Sequence, residues 1–247
     1  MIVEFVGCTG AGKTTLLAAT RRQLAQRAST SFEVMAAPFR LQDISHPTAR
    51  NLLQEAAVLP LFMRTLPKHR ALIAFTVSML ARQSQFTIST INILRSLERK
   101  IGVHETIRRR NHDQITLVDE GTLLLAHNIF VYTSVSYTDE EIVRFATLVP
   151  LPDVVVYIKS PQDELLERTL RRQDAPREMK EKDRAQIEAY ISRAVNLFEL
   201  LAGIESIRDR LLVIDNLATT EISKSVNTIT QFLLRLEEST SVTQEYN

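Results

Sequence analysis

The stretch Gly7-Cys8-Thr9-Gly10-Ala11-Gly12-Lys13-Thr14 decides the fold of this chain. It matches the pattern G-x-x-x-x-G-K-[ST], in which glycines let backbone N–H groups surround phosphate oxygens without a clashing Cβ. Three of the six glycines in the chain fall inside it. We therefore interpret the stretch as a phosphate-binding loop and not as a chance glycine-rich turn.

The segments on both sides of the loop have the character that the pattern needs. Residues 1–6, "MIVEFV", are short and mostly apolar, which predicts a buried strand. Residues 14–28, "TTLLAATRRQLAQRA", carry apolar side chains at helical spacing and no glycine or proline, which predicts a helix. The positive end of that helix dipole would face the phosphates. The chain is therefore predicted to bind a nucleoside triphosphate.

The loop residues have separate predicted roles in binding ATP and Mg²⁺. The Lys13 ammonium would bridge the β- and γ-phosphates, and the Thr14 hydroxyl would ligate the Mg²⁺ ion. Cys8 is interpreted as a passive loop side chain and not as a redox sensor. The residues of this stretch that are predicted to bind the nucleotide are Gly7, Cys8, Thr9, Gly10, Ala11, Gly12, Lys13, Thr14 and Thr15.

The composition is that of one globular domain, and it excludes several classes of protein. The 247 residues contain 30 Lys and Arg against 29 Asp and Glu, so no net charge favours nucleic acid or a membrane surface. The single cysteine rules out an internal disulfide, and neither a signal peptide nor a run of about 18 apolar residues is found. We expect a cytoplasmic protein that acts on a small molecule, and we leave a homodimer open.

Further apolar segments extend the predicted fold downstream of the loop. The predicted strands are residues 31–38, 115–119, 154–158 and 211–215. Residues from about 47 to 110 are predicted to be helical, with breaks near Pro60 and Pro67. Because strands that alternate with helices form parallel sheets, we expect an α/β fold of the P-loop NTPase type. Its sheet would be five-stranded, parallel and doubly wound, in strand order 2-3-1-4-5, with helices on both faces and a helical insertion between strands two and three.

A second chemical site is predicted where the third strand ends, at Asp119. P-loop proteins place a carboxylate that binds Mg²⁺ at this position, so Asp119 is expected to be a metal ligand together with Thr14. A solvated acid at a strand end is the alternative interpretation. The next residue, Glu120, would either activate an attacking water molecule or orient its neighbours, and the sequence leaves both roles open.

Basic side chains form two further clusters. The stretch "ERTLRRQDAPRE", residues 167–178, carries arginines that would stabilise a phosphoryl group in transfer if they closed over it. The alternative is an exposed basic helix end. The other cluster is interpreted first as a solvated helix end and otherwise as a site for an anionic acceptor. It comprises Arg99, Lys100, Arg108, Arg109, Arg110 and His112.

These motifs together resemble the P-loop kinases of the nucleotide and nucleoside kinase group, and thymidylate-kinase-like proteins most of all. The resemblance runs along most of the chain and depends on residues 7–15, on "VDEG" at residues 118–121, and on "VVVYIKSPQDELLERTLRR" at residues 154–172. It implies that Asn216 and Leu217 border the adenine. The arginines that match the family's lid are Arg171, Arg172 and Arg177, and the acceptor-side candidates are Arg40, Arg82 and Arg95.

The resemblance also implies a domain organisation and an activity. It implies a single P-loop kinase-like domain over residues 1–247, with a helical acceptor-side insertion at about 40–112, an arginine lid at about 168–183 and a polar tail at 238–247. The implied reaction moves the γ-phosphoryl group of ATP to a small acceptor. Lys13, Asp119 and the three lid arginines would be the catalytic residues.

The motifs leave the acceptor and the reaction open. Asp119-Glu120-Gly121 stands where thymidylate kinases carry Asp-Arg-Tyr or a similar triplet, and their Arg-Pro signature is missing from the insertion. A nucleotide, a nucleoside, a sugar or another small alcohol is compatible as acceptor. An ATP-hydrolysing switch that uses Glu120 to activate water is the main rival, and a catalytically silent nucleotide-binding protein is a third class. A GTPase is disfavoured, because its Asn-Lys-x-Asp motif is missing.

Lys13→Ala should abolish nearly all phosphoryl transfer and leave the protein folded, because this lysine serves the phosphate charge and not the core. The measurement is ATP turnover beside thermal unfolding, with the wild-type protein as the reference for both. Retained turnover in a folded variant would show that the loop does not bind phosphate in the predicted way.

Overall fold

The computed structural model describes residues 1–27, 47–83, 88–110, 114–133, 135–172, 182–217 and 221–244. A parallel sheet lies at the centre of this part of the chain, in the order β2-β1-β3-β4. Its strands are β1 (Ile2–Val6), β2 (Thr116–Asp119), β3 (Val154–Lys159) and β4 (Leu211–Asp215). All five residues of β1 and the first five of β3 are buried, so the central strands are covered on both faces.

The register of the sheet brings the functional ends of the strands together. Phe5 in β1 lies beside Asp119 in β2, and Lys159 in β3 lies beside Asp215 in β4. Since neighbouring strands run in the same direction, their carboxyl ends meet at one edge of the sheet. The loop that begins at Gly7 starts at this edge, and so does the turn that follows Asp119.

Helices of very different length connect the strands. α1 (Lys13–Arg27) starts inside the glycine-rich loop, and α2 (Pro47–Leu80) packs along α3 (Ile88–Arg109). The chain then passes through a short α4 (Leu124–Ala126), a π-helix (His127–Tyr132) and α5 (Asp139–Leu148). The later helices are α6 (Gln162–Leu170), α7 (Arg184–Gly203), α8 (Glu205–Arg208) and α9 (Ile222–Gln244). No helix in the described residues is long and apolar enough to cross a membrane.

The predicted α/β fold with a parallel sheet is confirmed, while some details differ. The described sheet has four strands and not five, and the predicted second strand, residues 31–38, lies outside the described residues, so the five-strand order stays a prediction. The predicted breaks near Pro60 and Pro67 are wrong, because α2 is continuous through both prolines. Each proline removes one backbone N–H bond, and we attribute the continuity to the packing of α2 along α3. α9 continues to Gln244, into the predicted polar tail.

Gly7 brings the glycine-rich loop against the neighbouring strand β3. Its φ of +142° is a conformation that side chains rarely adopt, and a Cβ at this position would lie 2.4 Å from the Ile158 carbonyl oxygen. Such a short contact with a backbone atom cannot be relieved by rotating a side chain. The close packing of the loop on β3 therefore requires glycine here.

Gly7→Ala should lower the free energy of unfolding by about 2–4 kcal/mol, because the added methyl group meets the backbone of β3 at a strained φ. Gly203→Ala is the matched control: it stands at the end of α7, and nothing lies within 4 Å of a Cβ there. The control should be neutral or slightly stabilising. Urea denaturation of both variants measures the difference, and equal stabilities would contradict the close approach of the loop to β3.

Candidate active site

The glycine-rich loop holds its lysine against its own backbone. Lys13 Nζ donates hydrogen bonds to the carbonyl oxygens of Gly7 and Cys8, each at 2.9 Å. Burial lowers the pKa of Lys13, and the nearby carboxylates of Asp119 and Glu120 oppose this shift. The ammonium group therefore lies within the loop and close to the acidic end of β2.

The two predicted metal ligands meet at the end of β2. Thr14 Oγ1 donates a hydrogen bond to Asp119 Oδ2 at 3.0 Å, and Asp119 Oδ1 is buried with no hydrogen-bond partner among the described residues. Burial raises the pKa of Asp119, and the hydrogen bond from Thr14 opposes the shift. An unpaired carboxylate oxygen in the interior is costly, and a cation is a partner that would satisfy it.

The donor atoms at this position fit Mg²⁺. A hydroxyl and a carboxylate are hard oxygen ligands, and Mg²⁺ is commonly bound by one or two protein oxygens with phosphate oxygens and waters completing the octahedron. Within the described part of the chain, no cluster of three or more His, Cys, Asp or Glu side chains could hold a metal ion by itself. A cation at Thr14 and Asp119 would therefore need oxygens from a bound ligand.

Residues that follow β3 and β4 brace the glycine-rich loop. Asn216 Nδ2 donates to the Ala11 carbonyl oxygen at 2.7 Å, and the Ser160 hydroxyl donates to the Asn216 carbonyl oxygen at 2.8 Å. Arg168 Nη1 lies 3.5 Å from the Gly10 carbonyl oxygen, and Arg168 Nη2 lies 3.3 Å from that of Asn216. Sequence reasoning missed these contacts, because they join three segments that are far apart in the chain.

The predicted adenine border and lid remain predictions. The side-chain amide of Asn216 donates to the loop, and its backbone groups are hydrogen-bonded to Lys159, Ser160 and Arg168. The exposed side chain of Leu217 is therefore what would face a base. Arg171 and Arg172 are exposed after α6, and the positive charge of Arg172 acts on Lys13. Arg177 lies outside the described residues.

The predicted acceptor-side arginines are engaged in ion pairs. Arg82, in the turn after α2, pairs with Glu141 on α5, and Arg95 Nη2 on α3 lies 2.7 Å from Glu55 Oε2 on α2. Both arginine side chains are exposed, and Arg40 lies outside the described residues. Either guanidinium group would have to exchange a carboxylate for the acceptor in order to bind it.

Two buried charges that sequence reasoning missed hold the turn after β2. Glu4, in the middle of β1, is 1% exposed and accepts hydrogen bonds from the backbone N–H groups of Leu123 and Leu124, each at 3.2 Å. Lys100 on α3 is 5% exposed and donates to the carbonyl oxygen of Glu120. In the sequence, Glu4 could have been singled out because it is the one charged residue of an otherwise apolar strand.

The backbone of this turn has an uncommon conformation. Glu120 has a φ of +61° and is the only non-glycine residue with a positive φ in the described residues. At the next position, a Cβ on Gly121 would lie 2.4 Å from Glu4 Cδ. The Glu120 side chain is 62% exposed, and its carboxylate lies 4.0 Å from Lys100 Nζ. The turn therefore presents the Glu120 carboxylate to solvent beside the Thr14 and Asp119 pair.

The interpretation of the second basic cluster as a solvated helix end is wrong for Lys100. This residue shares the inward face of α3 with Leu97, Ile101 and His104, which are also buried. Arg108 is half-buried, and its Nη1 lies 2.8 Å from Asp153 Oδ1. Arg109 and Arg110 are exposed as expected, and His112 lies outside the described residues. Helical periodicity separates the members of the cluster, although they are close in sequence.

Burial dominates the electrostatics of the groups around this turn. It raises the pKa of Glu4 to about 7, against the opposing effects of backbone hydrogen bonds and of the Lys100 charge. It lowers the pKa of Lys100. It also lowers the pKa of His127 to about 3, and the charges of Lys13 and Lys100 add to that shift. His127 is therefore neutral at physiological pH, and lysines supply the positive charge in the interior of the site.

Comparison with known proteins identifies similar folds only. No protein family and no curated protein sequence matches the chain. A deoxyadenosine kinase from M. mycoides, solved with the products dCMP and dCDP bound, is similar over 95% of this chain and 100% of its own, at 12% identity and a TM-score of 0.52. A thymidylate kinase from Ehrlichia chaffeensis is similar over 95% of this chain and 98% of its own, at 14% identity and a TM-score of 0.47.

The chain shares its fold with known kinases. The chain has the α/β fold of the P-loop nucleoside and nucleotide kinases, with a parallel sheet and a glycine-rich loop that leads into α1. The predicted resemblance to this group is confirmed at the level of the fold. At 12% identity to the M. mycoides enzyme, the likeness concerns the path of the chain and not its chemistry.

Glu4→Gln should make the free energy of unfolding rise relative to that of the wild type as the pH increases. The folded pKa of Glu4 is about 7, above the 4.5 of an ordinary glutamate. Its contribution to wild-type stability is therefore fully present below pH 4.5 and is lost as the pH rises through 7. The difference between variant and wild type should move by about 3 kcal/mol in favour of the variant over this window.

Urea denaturation at several pH values measures this difference. The slope of this difference with pH is diagnostic, and its offset is not. Leu123 and Leu124 donate to different oxygens of Glu4, and glutamine has only one oxygen, so the substitution also changes these hydrogen bonds at every pH. Glu188→Gln, at an exposed position on α7, is the control and should give a much flatter difference. A flat difference for Glu4→Gln as well would contradict a raised pKa for this buried carboxyl.

Proposed function

We propose that the protein is an ATP-dependent phosphotransferase, a kinase that moves the γ-phosphoryl group of ATP to a small acceptor. The observation that carries the proposal is the 3.0 Å contact between Thr14 and Asp119 beside the buried, unpaired Asp119 Oδ1. The Lys13 ammonium lies in the adjoining loop. A P-loop enzyme needs this combination of a hydroxyl, a carboxylate and an ammonium group at its phosphate site.

The residues of the loop would hold the triphosphate and its cation. Lys13 would leave the carbonyl oxygens of Gly7 and Cys8 and donate to phosphate oxygens instead, while backbone N–H groups at the start of α1 contact the same phosphates. Thr14 and Asp119 would hold Mg²⁺. The bound ion would neutralise part of the charge on the phosphates.

We propose a nucleotide or a nucleoside as the acceptor. Support comes from the similarity in fold to the M. mycoides deoxyadenosine kinase, whose structure contains dCMP and dCDP. The contact of Lys100 with Glu120 brings α3 next to the residue that follows Asp119, which supports an acceptor-binding role for the helical insertion. Arg40, Arg82 and Arg95 are the proposed sources of positive charge for a phosphorylated acceptor. The balanced charge of the whole chain argues against nucleic acid.

The segment at about 168–183 would act as the lid. Arg171, Arg172 and Arg177 would approach the transferring phosphoryl group, whose oxygens carry negative charge in the transition state. The effect of the Arg172 charge on Lys13 supports this arrangement. Closure would also exclude water, which favours transfer to the acceptor over hydrolysis.

Hydrolysis of ATP is a second candidate function, and one observation favours it. The Glu120 side chain is 62% exposed and directly follows Asp119, so its carboxylate is accessible to a water molecule near the cation site. In that reaction Glu120 would act as the general base, and the arginines after α6 would be surface charge without a catalytic role.

Substitution of Arg171, Arg172 and Arg177 by alanine, one at a time, should separate transfer from hydrolysis. At least one variant should lose about tenfold or more in turnover number, roughly 1.4 kcal/mol in the barrier, because a lid arginine acts on the transition state. ATP affinity should change much less, since the loop around Lys13 stays whole. The assay is ATP consumption with the best acceptor from a panel of nucleotides, nucleosides and sugars, beside ATP binding by titration.

Two comparison variants make the outcome specific. Arg208→Ala, at an exposed position on α8, should keep full turnover. Glu120→Gln should have a smaller effect than the most damaging arginine variant. Full turnover in all three arginine variants, together with an inactive Glu120→Gln, would overturn the kinase proposal in favour of hydrolysis. ATP binding without any consumption would instead identify a catalytically silent nucleotide-binding protein.

A further inference from the structure

Two buried charged side chains form hydrogen bonds to the turn of Glu120 and Gly121 or to the residues just beyond it. From α3, the Lys100 ammonium donates to the Glu120 carbonyl oxygen. From β1, the Glu4 carboxylate accepts from the N–H groups of Leu123 and Leu124, just beyond the turn. Hydrogen bonds therefore connect the turn region both to β1 in the sheet and to α3 in the helical insertion.

This fastening coincides with a strained backbone. A glutamate with a φ of +61° costs free energy, and such a conformation persists only where the surroundings enforce it. The residue immediately before it is Asp119, whose Oδ2 accepts from Thr14 and whose Oδ1 is buried and unpaired. The direction of the Asp119 carboxylate therefore depends on the conformation that the turn is made to adopt.

Burial of Lys100 is difficult to explain by stability alone. An ammonium group with 5% exposure has lost most of its hydration, and an apolar residue on this face of α3 would avoid that cost. The group that receives its hydrogen bond is a carbonyl oxygen in the strained turn, and the carboxylate of that residue is 4.0 Å away and mostly solvated. The hydrogen bond of the lysine is therefore made to the backbone of the turn, and the Glu120 and Glu4 carboxylates act on it through their charge.

We propose that Lys100 is a positioning residue for the cation site. By holding the Glu120 carbonyl oxygen, its ammonium keeps the turn in the conformation that aims the Asp119 carboxylate at Thr14 and at the ion that these two residues would hold. This inference rests on the proposed function, because it assumes a cation bound with the nucleotide at Thr14 and Asp119. It makes α3, a helix of the predicted acceptor-side insertion, part of the support of the nucleotide site.

Binding of Mn²⁺ to the protein loaded with a non-hydrolysable ATP analogue tests this role, with free Mn²⁺ measured by electron paramagnetic resonance. Lys100→Met should weaken the Mn²⁺ affinity by about tenfold or more, as is usual for the loss of an outer-sphere support, and Lys100→Arg should recover part of the loss. Lys68→Met is the control for the loss of a lysine ion pair elsewhere in the insertion, because the mostly exposed Lys68 pairs with Glu105 between α2 and α3. Its Mn²⁺ affinity should stay within about twofold of the wild type.

A double-substitution cycle distinguishes positioning from a general loss of structure. If Lys100 acts through Asp119, then Lys100→Met should add almost nothing to the loss of Mn²⁺ affinity in an Asp119→Asn background. Because Lys100→Met leaves the Glu4 carboxylate buried without its cation, the same comparison is made between Glu4→Gln and Glu4→Gln/Lys100→Met. That pair contains no buried Glu4 carboxylate that lacks a nearby cation, and it should show the same loss of about tenfold.

The results separate this inference from the function on which it rests. Folded Lys100→Met, or the Glu4→Gln/Lys100→Met pair, with an Mn²⁺ affinity within about twofold of its reference would overturn the positioning role and leave the kinase proposal intact. Full additivity with Asp119→Asn would overturn it in the same way. If the wild-type protein with the analogue binds Mn²⁺ no more tightly than the analogue does in water, the proposed cation site fails, and the positioning role fails with it.

Discussion

The hydrogen bond between Thr14 and Asp119 is the contact on which the rest of the site depends. It joins the first turn of α1 to the end of β2, although the two residues are 105 positions apart. It can form because β1 and β2 pair in a register that sets Phe5 beside Asp119, so that the loop and the carboxylate leave the sheet at the same edge. A slip of one residue would turn the carboxylate to the opposite face of the sheet.

The surroundings of that contact concentrate charges that the fold has to bury. Lys13, Lys100 and Glu4 each lose hydration, and each recovers part of the cost through hydrogen bonds to backbone groups of a loop or turn. Groups of this kind do not favour stability as apolar side chains would, and they are typical of places where function sets the choice of residue. All three side chains form hydrogen bonds to backbone groups, so they fix the conformation of the loop and of the turn.

Contacts within the chain hold the glycine-rich loop in the same way. Asn216 and Arg168 contact carbonyl oxygens of the loop, and Gly7 allows it to lie directly on β3. A loop that is already ordered loses less conformational entropy when phosphate binds, which leaves more of the contact energy for affinity and for transition-state stabilisation. Lys13 is the exception, because its ammonium is bonded to carbonyl oxygens that phosphate oxygens would replace.

By itself, the sequence determined the loop, the strand before it, the helix after it and the carboxylate at Asp119, because these depend on contiguous residues and on local periodicity. Only the tertiary structure decided that Lys100 turns inward, that Asn216 braces the loop and that α2 continues through Pro60 and Pro67. The physical reason is the same in each case. A side chain's burial and partners, like a helix's tolerance of proline, depend on the elements packed against it, and those elements are distant in the chain.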